Sequence, residues 1–197
     1  MYFVLAPKPD SDGNIMGFTY KKDHPLRSWM GGNKFSKDES QPVFKKEPTS
    51  PIRVQLKKGR ETVQKADYLE APLPIISERL YFVLKEAGVD NIDVYPMEIC
   101  DEEGLVLYDD YFAVNIIGKV SAVDIEKSIS DEDQADSMIS KSFDSLAINE
   151  DAANGLKLFR LAENVGVVLV NENIKNILTV NKFETIELLE PENIAAL

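Results

Sequence analysis

Cys100 and His24 are the only residues of their kinds in this chain, and they bound the chemistry it can attempt. A cysteine nucleophile needs a base within hydrogen-bond reach. His24 instead lies in the polar stretch KKDHPL, far from the apolar run PMEIC that ends in Cys100. A structural zinc site takes four nitrogen or sulfur ligands, which one Cys and one His cannot supply. Ser77-Glu78-Arg79, in the stretch APLPIISERLYFVLKEAG, places a hydroxyl beside two charges. Leu80 stands where a lysine base three residues on would be, and no G-x-S-x-G surrounds the serine. Gly31-Gly32 is a bare pair, with no phosphate-cradling motif around it. Read as a calcium loop, DSDGNIMGFTYK puts Ile15 at the glycine position and Lys21 at the bidentate glutamate. A frame opened at Asp131 puts Asp136 at the glycine and Ser142 at the last ligand. Asp109-Asp110 are paired carboxylates, but neighbours on a strand point to opposite faces. They read as a turn residue followed by a strand start. No residues stand at catalytic spacing, and no metal or cofactor is expected.

The elements that would position these residues divide the chain. Residues 1–70 form a loop-rich N-terminal part: YFVLA (2–6) and IRVQL (52–56) read as strands, while Pro and Gly recur too often between them for long helices. Residues 71–190 read as a more regular core. Ser77 is a helix cap whose hydroxyl can accept from the first turn. Glu78 lies at the positive end of the helix dipole, and Ile76 and Tyr81 occupy the positions of a hydrophobic staple. Leu80, Val83, Leu84 and Ala87 line one face, and Gly88 stops the helix. NIDVYPMEI (91–99) is a strand in which Pro96 argues for an edge or a bulge. LVLYDDYFAVNII (105–117) supplies one or two strands, and VSAVDI (120–125) a further extended piece. Residues 128–150 read as an acidic loop or marginal helix. GLKLFRLAE and VGVVLV are strands. Asn171 caps a helix carrying Ile174, Ile177 and Leu178 on one face, and FETIELL is a last strand. The fold class is α+β, a mostly antiparallel sheet with two or three helices in a single domain.

At 197 residues the chain needs no disulfide or metal to bury a core. The net charge of −12 is uneven. Residues 1–70 carry 13 Lys+Arg against 9 Asp+Glu, and the remainder 9 against 25. That field disfavours nucleic acid and suits a basic partner. The opening residues show no basic leader and no segment approaches a membrane span, so residence in the cytoplasm is expected.

Four motifs carry a resemblance. The first is Pro74, Ser77, Glu78, Arg79 and Leu80 opening a helix. An aromatic strand follows with Tyr111, Phe112, Val114 and Asn115. Next come Val123, Asp124 and Ser128. The last is Leu158, Phe159 and Arg160, followed by the apolar strand Val167 to Val170 and the helix Ile174 to Ile177. In this order, over residues 71–189, the sequence resembles the eleventh immunity-protein family of bacterial polymorphic toxin systems. The resemblance implies a protein that neutralises a cognate toxin, usually encoded beside it, and it implies no catalytic residues. The motif positions Ser77, Glu78, Arg79, Asn115, Asp124, Ser128, Phe159 and Arg160 are expected to be structural, with Arg160 outside or at a carboxylate. Trp29 and Tyr68 are candidates either for partner anchors or for core. Asp131, Glu132, Asp133 and Asp136 are expected either to face a basic toxin or to form a solvated loop. The alternative function is a small enzyme in which Asp109, Asp124 or Arg160 converge.

Overall fold

The structure, a computed structural model, describes residues 1–20, 26–57, 64–70, 73–130 and 142–196. Its fold is α+β, built on two larger sheets. Four strands, β1 (Tyr2–Pro7), β10 (Leu158–Arg160), β11 (Val168–Asn171) and β12 (Ile186–Leu189), form an antiparallel sheet in the order β10-β11-β1-β12. Six more form the second sheet: β2 (Phe18–Tyr20), β3 (Ile52–Leu56), β4 (Tyr68–Leu69), β5 (Ile75–Ser77), β6 (Ile92–Cys100) and β7 (Val106–Ile116). Their order is β2-β3-β6-β7-β5-β4, antiparallel except for the parallel pair β3 and β6. A small hairpin pairs β8 (Ile129–Ser130) with β9 (Phe143–Ser145).

Among the described residues three α-helices accompany the sheets: α1 (Leu26–Met30), α2 (Glu78–Glu86) and α3 (Glu172–Val180). Helix α2 starts where Ser77 Oγ accepts from the Leu80 amide at 3.2 Å and ends before Gly88, whose φ of 78° only glycine takes without strain. Helix α3 repeats the device, with Asn171 Oδ1 accepting from the Ile174 amide at 3.0 Å. Leu80 and Leu84 of α2 and Ile174 and Leu178 of α3 enter one apolar cluster. Phe3, Leu5, Val168 and Val170 reach it from the first sheet, and Ile76, Val114 and Ile116 from the second.

Both sheets are also covered on their opposite faces. Tyr2, Val4, Phe159, Leu161 and Leu169 pack with Ala122, Phe143, Leu146 and Ile194. On the six-stranded sheet Val54, Ile75, Met97, Ile99 and Ala113 pack with Met16, Trp29 and Phe35. Two-sided burial explains why YFVLAP is apolar without alternation, every residue of β1 and likewise of β10 being buried. It also corrects the expectation for Arg160. Alternation puts Arg160 on the face of Leu158, opposite Phe159 and Leu161, but that face is inside as well, and Arg160 is 1% exposed.

Strand β6 is paired on both sides, so Pro96 does not mark an edge strand. Its parallel ladder with β3 begins only at Met97, one residue after the proline. The missing N–H therefore costs no bond on that side, and a register shift follows between Met97 and Ile99. The stretch 120–125 forms no strand; Val120 and Val123 make single bridges to Leu161 and Ile148. Asp109 and Asp110 both lie within β7 rather than at its start.

Candidate interaction surface

The serine that looked most like chemistry is fully occupied by structure. Ser77 Oγ donates to Asp67 Oδ1 at 2.7 Å while accepting from Leu80. Asp67 Oδ2 accepts from Thr185 Oγ1 at 2.9 Å, and the Asp67 amide donates back to that hydroxyl at 2.9 Å. Ser77 N completes the set by donating to the Asp67 carbonyl at 2.9 Å. The network ties β4, the start of α2 and the approach to β12, and so joins the two larger sheets. With Ser77 only 5% exposed and its hydroxyl both donating and accepting within this network, the arrangement holds strands together.

The other motif positions are distributed through the fold. Glu78 is exposed in the first turn of α2. Arg79 stacks its guanidinium 4.2 Å over the Phe183 ring and donates to the Asn181 carbonyl, fastening α2 to the end of α3. Asn115 is wholly buried and donates from Nδ2 to the Asn33 carbonyl at 2.8 Å. Asp124 accepts from Lys127 Nζ at 2.6 Å, which holds its carboxyl below the usual range. Ser128 Oγ donates to the Asp124 carbonyl at 2.7 Å and accepts from the Ala147 amide at 2.9 Å. Phe159 meets Tyr2 edge-on with ring centres 5.1 Å apart.

Trp29 and Tyr68 are both buried. Trp29 packs edge-on against Phe35 and Tyr95 at 5.1 and 5.6 Å. Tyr68 belongs to the cluster shared by the sheets and helices. Asp131, Glu132, Asp133 and Asp136 lie outside the described residues. Arg160 lines a cavity to which neither Asp109 nor Asp124 contributes. Among the described residues no three of His, Cys, Asp and Glu gather as metal ligands, and no helix is long and apolar enough to cross a membrane.

The surface feature that stands out was read in the sequence only as strand. β6 and β7 pair from Ile92↔Ile116 to Cys100↔Val106, and a turn over residues 101–105 closes them. Asp101 organises that turn: its Oδ1 accepts from the Leu105 amide at 2.8 Å and its N donates to the Leu105 carbonyl at 3.0 Å. Gly104 takes the left-handed conformation, φ 88°. Leu105, Val106 and Leu107 follow, 67%, 39% and 39% exposed. Asp101, Glu102 and Glu103 precede these apolar residues, and Asp109 and Asp110 follow them.

Strand β5 pairs with β7 only from Tyr111 onward, and among the described residues no strand lies along that edge of Val106 to Asp110. At the base of the hairpin Lys65 Nζ sits 2.5 Å from Asp110 Oδ2 and 4.8 Å from the Tyr108 ring centre. The result is a hairpin end fixed at turn and base, apolar in its middle and acidic on both sides. Two consecutive strand residues are exposed on opposite faces, so the tip projects beyond the covered part of the sheet. The bracketing DEEG and DDY were the signal available in the sequence.

A model of the Immunity protein family (Imm11) matches residues 2–193. The match takes in the N-terminal part as well as the segment that carried the resemblance. No curated protein matches the chain.

Proposed function

Because the chain belongs to the Immunity protein family (Imm11), we propose that it binds and neutralises a cognate bacterial toxin in the cytoplasm of the cell that makes both. Inhibition is by occlusion, without covalent chemistry. The observation that carries this reading is the acidic, apolar-tipped end of the β6–β7 hairpin. A projecting Leu105-Val106-Leu107 segment suits an apolar groove, and the carboxylates around it suit a basic rim. A stable inhibitor interface buries about 1,600 Å² in total, so the contact extends from the tip along the hairpin flanks. Asp131, Glu132, Asp133 and Asp136 belong to the same proposal, adding negative charge that speeds the approach of a basic toxin.

The test is co-purification and calorimetry with the toxin-like product of the neighbouring gene. Replacing Leu105 and Leu107 together by Asp is expected to weaken binding at least about 100-fold, the loss of two apolar anchors at 1.4 kcal/mol or more each. Both side chains are exposed, so the circular dichroism spectrum should not change. Wild-type affinity in this variant would move the contact elsewhere on the molecule. No binding of any neighbouring toxin by the wild type would remove the neutralisation reading.

A further inference from the structure

Arg160 poses an electrostatic problem that the immunity reading leaves unused. It is buried in β10, and its Nη1 donates to the Val165 carbonyl. Nε and Nη2 are buried and have no partner among the described residues. These two nitrogens form one edge of the guanidinium, with parallel N–H bonds spaced to fit both oxygens of a carboxylate. Among the described residues Arg160 makes no ion pair. A buried cation without a counter-charge is strongly unfavourable, and desolvation lowers the Arg160 pKa from its ordinary value. The arrangement is complete only when an anion supplies the missing acceptors.

There is room for one. Arg160 lines a cavity of about 340 Å³, a volume within the range of small-molecule sites. Tyr68 lies in the same lining, and its buried hydroxyl also lacks a partner among the described residues. The remainder is mainly apolar, with Val4, Pro74, Val168 and Ile194 among the contributors. Glu70 stands in the lining too, its carboxyl pKa raised by burial. Glu163, three residues beyond Arg160, has a buried Oε2 without a partner yet forms no ion pair with it.

We propose that this cavity is a binding site for a small organic monocarboxylate with a compact apolar body. The Nε–Nη2 edge of Arg160 takes the two carboxylate oxygens, the Tyr68 hydroxyl donates a third hydrogen bond, and the apolar walls hold the body. Both nitrogens lie beneath the lining, so the ligand parts a lining side chain as it seats. Phosphate fits poorly. Among the described residues Arg160 is the one positive side chain in the lining, and a dianion beside Glu70 would be left with excess negative charge.

Benzoate and butyrate serve as probes, with benzamide and inorganic phosphate as controls, in calorimetric titration and thermal-shift measurements on the full chain. The wild type is expected to bind benzoate saturably and to melt at a higher temperature in its presence, while benzamide and phosphate have no effect. Arg160→Met is expected to abolish binding, and Arg160→Lys, which keeps the charge but loses the fork, to weaken it at least about tenfold. Tyr68→Phe should weaken it severalfold, and it tests the site even where Arg160 variants fold poorly. Equal binding of benzamide, or full benzoate binding by folded Arg160→Met, would overturn the proposal. So would the absence of saturable binding in both the wild type and Glu163→Gln. Binding that appears only in Glu163→Gln would overturn it as well, by making Glu163 the native occupant. The toxin plays no part in these measurements, so their outcome is separate from that of the neutralisation test.

Discussion

Replacing Ser77 by alanine removes the cap of α2 and leaves Asp67 Oδ1 without its donor at 2.7 Å. Loss of a cap costs about 0.5–2 kcal/mol, and the uncovered carboxylate oxygen places the effect near the upper end. A urea titration of Ser77→Ala should show that loss, with toxin binding by the folded fraction unchanged. Phe159→Ala should be more severe, about 3–5 kcal/mol for a buried ring. Arg160→Met should leave the melting temperature unchanged or raise it, since replacing even a paired buried ion with apolar side chains of similar volume is often neutral or stabilising, and Arg160 has no ion pair among the described residues to lose. A large drop for Arg160→Met would show that the Nη1 bond to Val165 outweighs the desolvation cost. At this scale the cap at Ser77 was legible, because cap, staple and stop are local patterns. The burial of Arg160 was not. A single strand's alternation divides its residues between two faces, but whether the second face meets water depends on residues such as Tyr68, far away in sequence.

Two glycines separate backbone conformation from packing at the level of whole elements. Gly104 in the hairpin turn has φ 88°, and a methyl group there would meet nothing within 4 Å among the described residues. Gly104→Ala should therefore cost only the left-handed penalty of about 1–2 kcal/mol, a loss of a few degrees in melting temperature. Gly32 has φ 71°, and a methyl group would lie 2.8 Å from the carbonyl carbon and oxygen of Gly118, whose amide donates to Gly32 O at 2.7 Å. Gly32→Ala adds a backbone collision to the same penalty and should lower the melting temperature at least about twice as far. Equal losses would mean that the strand end at Gly118 yields freely. Elements set by local rules, such as IRVQL, α2 and α3, emerged where the sequence placed them. The role of LVL in residues 105–107 did not, because an apolar strand reads the same whether a layer covers it or it projects past the sheet.

The whole molecule carries a net charge of −12, and the proposed partner is basic. Association should then be fast at low salt and slow severalfold as ionic strength rises from about 50 to 500 mM, while dissociation changes less. Stopped-flow mixing at a series of salt concentrations checks this, and a salt-independent association rate would rule out a basic toxin face. The topology also sets an order in time. Strand β1 lies between β11 and β12, and Val4 pairs with both Leu169 and Leu189. During translation the apolar segment YFVLAP must wait for more than 160 further residues to be made, roughly 10–30 s at typical elongation rates. Until then it is an unpaired hydrophobic strand, open to chaperones and to the same strand on neighbouring nascent chains. A rare-codon pause upstream of Val168 would therefore lengthen that exposure without changing a single residue.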